Sequence, residues 1–108
     1  MRPRIQVKEL FADYLIRAAD DEEFDIPQAK WGKVLRPNSY PSEIIEGWGA
    51  LRLKIACCEV SFSPEPPGIQ IVFEGGDISA EDADAIVREI VESAESFTGQ
   101  RGKVIPLQ

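Results

Sequence analysis

The sequence contains no histidine, and its only two cysteines, Cys57 and Cys58, are adjacent. The first absence removes the commonest general base and metal ligand of proteins. Two adjacent cysteines can neither supply a tetrahedral zinc set nor close a stabilising loop. We therefore expect reduced, buried cysteines in an intracellular protein and no histidine-based chemistry.

Long apolar runs are also missing. No segment approaches the roughly 18 to 20 consecutive apolar residues of a membrane span, and the opening "MRPRIQVKEL" is not followed by a signal-peptide core. The chain has 108 residues, of which 44% are hydrophobic and 29% charged, the usage of one globular domain. We expect a single soluble, cytoplasmic domain over residues 1–108.

Basic residues are scarce in the second half of the chain. The net charge is -7, and residues 59–98 alone carry -9, with Arg88 the only base between Glu59 and Glu95. A second concentration, "DDEEFD" at Asp20–Asp25, carries -5. Such charge repels the phosphates of nucleic acids and attracts basic surfaces. The composition favours a basic protein as partner and disfavours nucleic acids and membranes.

The clearest secondary structure is a helix over residues 80–98. Its apolar residues recur at helical spacing and form one stripe. Ser79 is placed to cap the first turn and Gly99 to end the helix in a left-handed conformation. The stripe consists of Ala83, Ile86, Val87, Ile90, Val91, Ala94 and Phe97.

Strands are predicted near residues 50–62, 69–74 and 103–107, where apolar and polar residues alternate. The segment "SPEPPG" between the first two is a turn, and Pro106 places the last strand at a sheet edge. With the helix at 80–98 as crossover, this C-terminal β-β-α-β unit predicts an α+β fold with a small mixed sheet.

The N-terminal part predicts a second amphipathic helix near residues 7–19, because its apolar residues fall at helical spacing. A short helix is expected from about Asp25 through Val34, with Pro27 in its first turn. Trp31 and Trp48, each followed by glycine, are interpreted as core anchors for the irregular connections.

No motif for a cofactor or metal is convincing. "DDEEFD" lacks the ligand spacing and central glycine of a calcium loop, and "GGD" after a strand lacks both glycine-rich phosphate signatures. "EGGDISAED" groups four acids that could hold a weak ion, but a capped strand-to-helix turn explains it more simply. We expect neither cofactor nor metal.

The residues favour a non-catalytic, acidic protein-binding module that docks on a basic partner, as inhibitors and immunity proteins of bacterial toxins do. This analogy rests on charge, size and the lack of catalytic groups. Phe24 discriminates two forms of the acidic run, since its ring either packs inward beneath a rigid surface or is an exposed anchor. The candidate contact residues are Asp20, Asp21, Glu22, Glu23, Phe24 and Asp25, with Glu81, Asp84, Glu89, Glu92 and Glu95 on the helix.

Two other hypotheses remain open. A small histidine-free enzyme could use a pair of carboxylates in a cleft between the sheet and the N-terminal helix. Alternatively, the edge strand "KVIPL" could pair with a second copy in a homo-oligomer.

Overall fold

The computed structural model describes residues 11–56, 58–75 and 78–107. In this part of the chain, six strands form one sheet, and every neighbouring pair is antiparallel. The elements are β1 (Phe11–Ala18), a 3-10 turn (Gln28–Lys30), α1 (Trp31–Val34), β2 (Ser42–Ile44), β3 (Leu51–Ile55), β4 (Cys58–Glu65), β5 (Gly68–Glu74), α2 (Ala80–Thr98) and β6 (Gly102–Pro106). The strand order across the sheet is β2-β3-β4-β5-β1-β6, and the α+β class is as predicted.

One face of the sheet forms the core. Leu53 of β3 lies opposite Val60 of β4, which lies opposite Phe73 of β5, and all three are fully buried. Because side chains on a strand alternate between faces, the residues between them point to the other side. The apolar stripe of α2 packs over the core face, so that sheet and helix form two layers.

The predicted helix near residues 7–19 is wrong where the structure describes it. Residues 11–18 form strand β1, which lies inside the sheet between β5 and β6. Tyr14, Ile16 and Ala18 are buried at every second position, a strand period. Leu15 lies on the other face of the strand, but its apolar side chain made the spacing of this segment resemble that of a helix. Short apolar runs do not distinguish a helix from a strand by their spacing. Residues 7–10 of that prediction lie outside the described residues.

The sheet is antiparallel and not mixed, and β1 is the reason. Strands β5 and β6 run parallel to each other, as a helical crossover requires, but β1 lies between them and is antiparallel to both. The predicted strand near 50–62 is two strands, β3 and β4, and Ala56 follows the end of β3. Ala56 there has a φ of 56°, in a turn without the usual glycine or asparagine signal.

Helix α2 has the predicted bounds. The Ser79 side chain accepts a hydrogen bond from the Asp82 backbone N–H at 3.0 Å, and Gly99 ends the helix with a φ of 78°. Six of the seven stripe residues are buried, whereas Phe97 is 48% exposed. The strand predicted at 103–107 is β6, an edge strand as expected. Strand β5 also matches its prediction, while β2 was not foreseen.

The connection between β1 and β2 contributes buried residues to the core. The short helix expected before Val34 is present as the 3-10 turn and α1, and Trp31 and Leu35 are buried there. No helix in the described ranges is long and apolar enough to cross a membrane.

Candidate functional site

The acidic run forms a loop that leaves the end of β1 and passes the start of β6. Residues Asp20 to Glu23 and Asp25 are exposed, whereas Phe24 between them is only 8% exposed. A Cβ added to Gly102 would lie 2.6 Å from the Phe24 ring and 2.8 Å from Val91. The ring therefore packs inward against β6 and α2, and glycine at position 102 makes room for it. We call residues 20–25 the acidic loop.

Backbone hydrogen bonds fix the first half of the acidic loop. The Asp21 N–H donates to the Ala18 carbonyl, and the Ala18 N–H donates to the Glu22 carbonyl, both at 3.0 Å. Asp21 has a φ of 67°, a conformation that aspartate adopts more readily than most residues. The Asp20 carboxylate also accepts the Glu22 N–H at 3.2 Å. This half of the loop is a hydrogen-bonded turn.

Gln100, 75 residues further along the chain, holds the second half. Its Oε1 accepts the Asp25 N–H at 2.8 Å, and its Nε2 donates to the Glu23 carbonyl at 3.2 Å. Gln100 thus bonds the backbone on either side of Phe24, whose ring is buried. The loop thus presents its carboxylates from a fixed backbone.

Among the five carboxylates of the acidic loop, the described residues give an ion pair only to Asp21. Lys103 Nζ lies 2.6 Å and Arg17 Nη2 3.4 Å from its Oδ1. The hydrogen bond from Lys103, with the positive charges of Lys103 and Arg17, lowers the pKa of Asp21. Asp20, Glu22, Glu23 and Asp25 therefore leave their negative charge facing solvent.

Some of the acids predicted on the helix form bonds within the fold, and others are exposed to solvent. Asp84 pairs with Arg88 at 2.7 Å, and Glu95 accepts the Gly102 N–H at 2.8 Å. Glu89 accepts the Ser39 N–H at 2.7 Å, which lowers the Glu89 pKa. The two remaining predicted helix residues, Glu81 and Glu92, are exposed.

Position along α2 separates these acids further. A helix of 19 residues is about 28.5 Å long at 1.5 Å per residue, so Glu81 lies far from the C-terminal end. At that end, Glu95 bonds the Gly102 backbone, which contacts Phe24 of the acidic loop. Only the C-terminal helix acids thus adjoin the acidic loop.

A pocket of about 220 Å³ opens beside Glu23. Its lining includes the buried side chains of Phe24, Ile26 and Trp31. The hairpin of β4 and β5 contributes Pro64, Pro66 and Pro67. The Trp31 indole N–H donates to the Ile26 carbonyl at 3.3 Å, which fixes the ring. Acidic loop and pocket thus share one rim.

A further polar cluster, not foreseen from the sequence, occupies the face of the sheet opposite the core. Arg52 is only 7% exposed, and its Nη2 donates to Glu59 at 2.7 Å and to Glu74 at 2.6 Å. These bonds, Glu74 foremost, raise the Arg52 pKa against the effect of burial. The guanidinium carbon lies 5.4 Å from the centre of the Trp48 ring. The alternation in "LRLKI" places Arg52 off the core face, but its partners come from other strands.

Trp48 corrects the prediction that both tryptophans are core anchors. Trp31 is buried, whereas Trp48 is 51% exposed and stacks on Arg52. The segment before β3 is tied down by the Ile45 N–H bonding the Arg52 carbonyl and the Ala50 N–H bonding the Phe62 carbonyl, at 3.0 and 2.8 Å. The Arg52 cluster (Arg52, Glu59, Glu74 and Trp48) adds the contact between Trp48 and Arg52 to these backbone bonds, and together they hold the segment on the sheet.

Two other predictions concern metal and catalytic sites. Among the described residues, no group of three or more acids and cysteines is arranged to hold a metal ion. Asp77 of "EGGDISAED" lies outside the described residues.

The cleft predicted between the sheet and an N-terminal helix has no counterpart at residues 11–18, because they are part of the sheet. Cys58 is buried in the core with its Sγ 3.0 Å from the Gly75 carbonyl, while Cys57 is not among the described residues.

No known protein family, curated protein or solved structure matches the chain.

Proposed function

We propose that this protein is a non-catalytic binding module that docks on a basic protein through the acidic loop. The observation that carries the proposal is a rigid backbone presenting four exposed carboxylates without ion pairs to the described residues. A loop already held in one conformation loses little entropy on binding, so more of its interaction energy contributes to affinity.

The charge layout supports the same proposal. The net charge of -7 attracts a basic partner over several ångströms, and exposed carboxylates accelerate its association when the ionic strength is low. Inhibitors and immunity proteins of bacterial toxins work in this way, and we propose an inhibitor-type role as the specific form. The C-terminal acids of α2, Glu92 and Glu95, extend the surface beside the acidic loop.

The edge strand β6 is the alternative interaction surface, as a pairing site for a second copy. Lys103 and Pro106 on this strand are residue types that discourage edge-to-edge pairing, because one brings charge and the other lacks an N–H donor. We therefore place the binding surface at the acidic loop and not at the edge.

The test compares variants that differ only in which carboxylates are neutralised. The loop variant is Asp20→Asn, Glu22→Gln and Asp25→Asn, and the matched control is Glu43→Gln, Glu46→Gln and Asp82→Asn. All six residues are exposed and each set changes the net charge by the same amount. Proteins captured from lysate of the source by the wild type are quantified against both variants, at low and high salt.

We expect a basic protein that the wild type and the control capture and the loop variant loses. With the purified partner, the loop variant should raise Kd about tenfold, since three exposed charge pairs at about 0.5 kcal/mol each total about 1.5 kcal/mol, and about 1.4 kcal/mol corresponds to a factor of ten. Equal capture by both variants, or no basic protein at low salt, would overturn the proposal. Two single variants, Glu81→Gln near the N-terminal end of α2 and Glu92→Gln near its C-terminal end, show which end of the helix contributes to binding.

A further inference from the structure

The pocket beside Glu23 is lined by both apolar and polar groups. Apart from the acid, its described lining consists of aromatic, aliphatic and proline side chains, one glycine and Gln28. Phe24, Ile26, Trp31 and Ile69 on its floor are buried in the core, so the cavity cannot collapse without disturbing it. Its shape is therefore preformed.

The size of the pocket selects its occupant. Sites for drug-sized ligands and cofactors measure about 300–1,000 Å³, whereas this pocket measures about 220 Å³. A volume of this order accommodates one long side chain inserted from outside. A long side chain of a protein partner therefore fits this pocket better than a cofactor does.

Glu23 is the only charged residue among those that line the pocket. Its backbone carbonyl is held by Gln100, and its side chain is exposed at the rim. Apolar side chains next to one carboxylate at the rim complement a side chain with an aliphatic stem and a cationic head. Lysine and arginine both have this form.

We infer that the pocket receives an arginine side chain of the basic partner, with its stem between Trp31 and the three prolines and its guanidinium on Glu23. Arginine fits better than lysine because its guanidinium is more weakly hydrated and loses less on entering apolar surroundings. Arginine is also enriched, and lysine depleted, at the centres of protein interfaces. This inference rests on the proposed function and names the residue that anchors the partner.

The test needs no partner protein. Nα-acetyl-arginine amide is titrated into the 15N-labelled protein, with the amides of acetyl-citrulline and acetyl-lysine as parallel ligands. Citrulline keeps the shape of arginine without its charge. Each of the chain's two tryptophans gives one indole N–H signal, so Trp31 reports on the pocket and Trp48, beside Arg52, serves as an internal control.

We expect the arginine compound to shift the Trp31 indole and Gly68 amide signals while the Trp48 signal stays in place. Glu23→Gln should raise the Kd about fivefold, the factor equal to about 1 kcal/mol for an ion pair at the rim. Glu43→Gln, which neutralises an exposed acid outside the pocket lining and the acidic loop, should leave it within about twofold.

Three results would overturn the inference: no Trp31 shift with arginine, an equal shift with citrulline, or a response to lysine as strong as that to arginine. Because the capture experiment leaves Glu23 intact, the two proposals fail separately. Loss of capture in the loop variant without any pocket response would keep the acidic loop as docking surface and remove arginine as its anchor.

Discussion

Phe24 shows how one residue converts a run of charges into a defined surface. Within Asp20–Asp25 it alone is buried, and the ring lies against Gly102 and Val91. The sequence indicated that this residue decides between a rigid surface and an exposed anchor. It could not decide which, because the cavity that accepts the ring is made by β6 and α2, about 70 residues further on.

The contribution of the Phe24 ring can be measured against a matched phenylalanine. We expect Phe24→Ala to lower the free energy of unfolding by about 3 kcal/mol, because a buried ring leaves a cavity. Phe97→Ala removes the same atoms from a half-exposed site and should cost less than about 1 kcal/mol. Urea unfolding of both variants checks this, and equal losses would show that the Phe24 ring is not a core residue.

Asp21 gives the acidic loop a pH dependence of definite sign. Its pKa is lowered, chiefly by the hydrogen bond from Lys103. A carboxyl with a lower pKa in the folded state stabilises the fold above its unfolded pKa of about 3.9, and this stabilisation is lost as the pH falls through the folded value. Glu89, held by the Ser39 N–H, acts in the same direction.

We therefore expect the wild type to lose more stability between about pH 5 and about pH 3 than the Asp21→Asn variant does. Asparagine keeps the size of the side chain and tolerates the positive φ at this position. Thermal unfolding at several pH values measures the difference. Parallel curves for the two proteins would contradict the assigned Asp21–Lys103 interaction.

The elements divide into those that local sequence determines and those that distant partners determine. Helix α2 was predicted with its bounds, because its stripe, Ser79 cap and Gly99 stop all lie within the helix or next to it. Strand β1 was missed, because the residues that make it a strand belong to β5 and β6. The sheet is antiparallel because β1 lies between β5 and β6, so its type could not be predicted once β1 was taken for a helix.

The candidate site divides in the same way. The sequence identified the acidic loop and the helix acids by charge, but not which acids bond within the fold. Glu89 and Glu95 accept backbone N–H groups of Ser39 and Gly102, partners that helical spacing does not reveal. The Arg52 cluster was missed because its members come from the segment before β3 and from three strands.

The Arg52 cluster makes a prediction about the sheet. In the antiparallel register, Glu59 lies opposite Glu74, and Arg52 bridges the two like charges. Removing the base in Arg52→Met should lower the free energy of unfolding by about 2 kcal/mol, since both acids then face each other unpaired. The Trp48 fluorescence should change as well, because the ring loses its stacking partner.

Arg88→Met is the matched control for this prediction. Arg88 pairs with Asp84 on the exposed surface of α2, and loss of such a solvated pair should lower the free energy of unfolding much less than loss of Arg52 does. Urea unfolding and tryptophan fluorescence compare the two variants. If both lost the same small amount, Arg52 would be no more than a surface ion pair.

On the scale of the whole molecule, the two layers of the fold place the acids asymmetrically. The acidic loop and the C-terminal end of α2 meet beside β6, where Glu95 and Gln100 connect them. Glu81 lies apart from them, at the other end of a helix about 28.5 Å long. The net charge of -7 acts at long range, and the loop supplies the short-range contacts.

A basic partner drawn to these carboxylates should therefore bind at a rate that falls as salt screens the charges. The most direct measurement is the association rate constant of the purified pair by stopped flow, at about 0.01 M and about 0.15 M salt, for the wild type, the loop variant and the matched control. Screening shortens the range of the charges from about 30 to about 8 Å over this interval. We predict that the wild type and the control slow at least tenfold with salt and that the loop variant slows markedly less. Equal salt dependence in all three proteins would show that the acidic loop is not the docking surface.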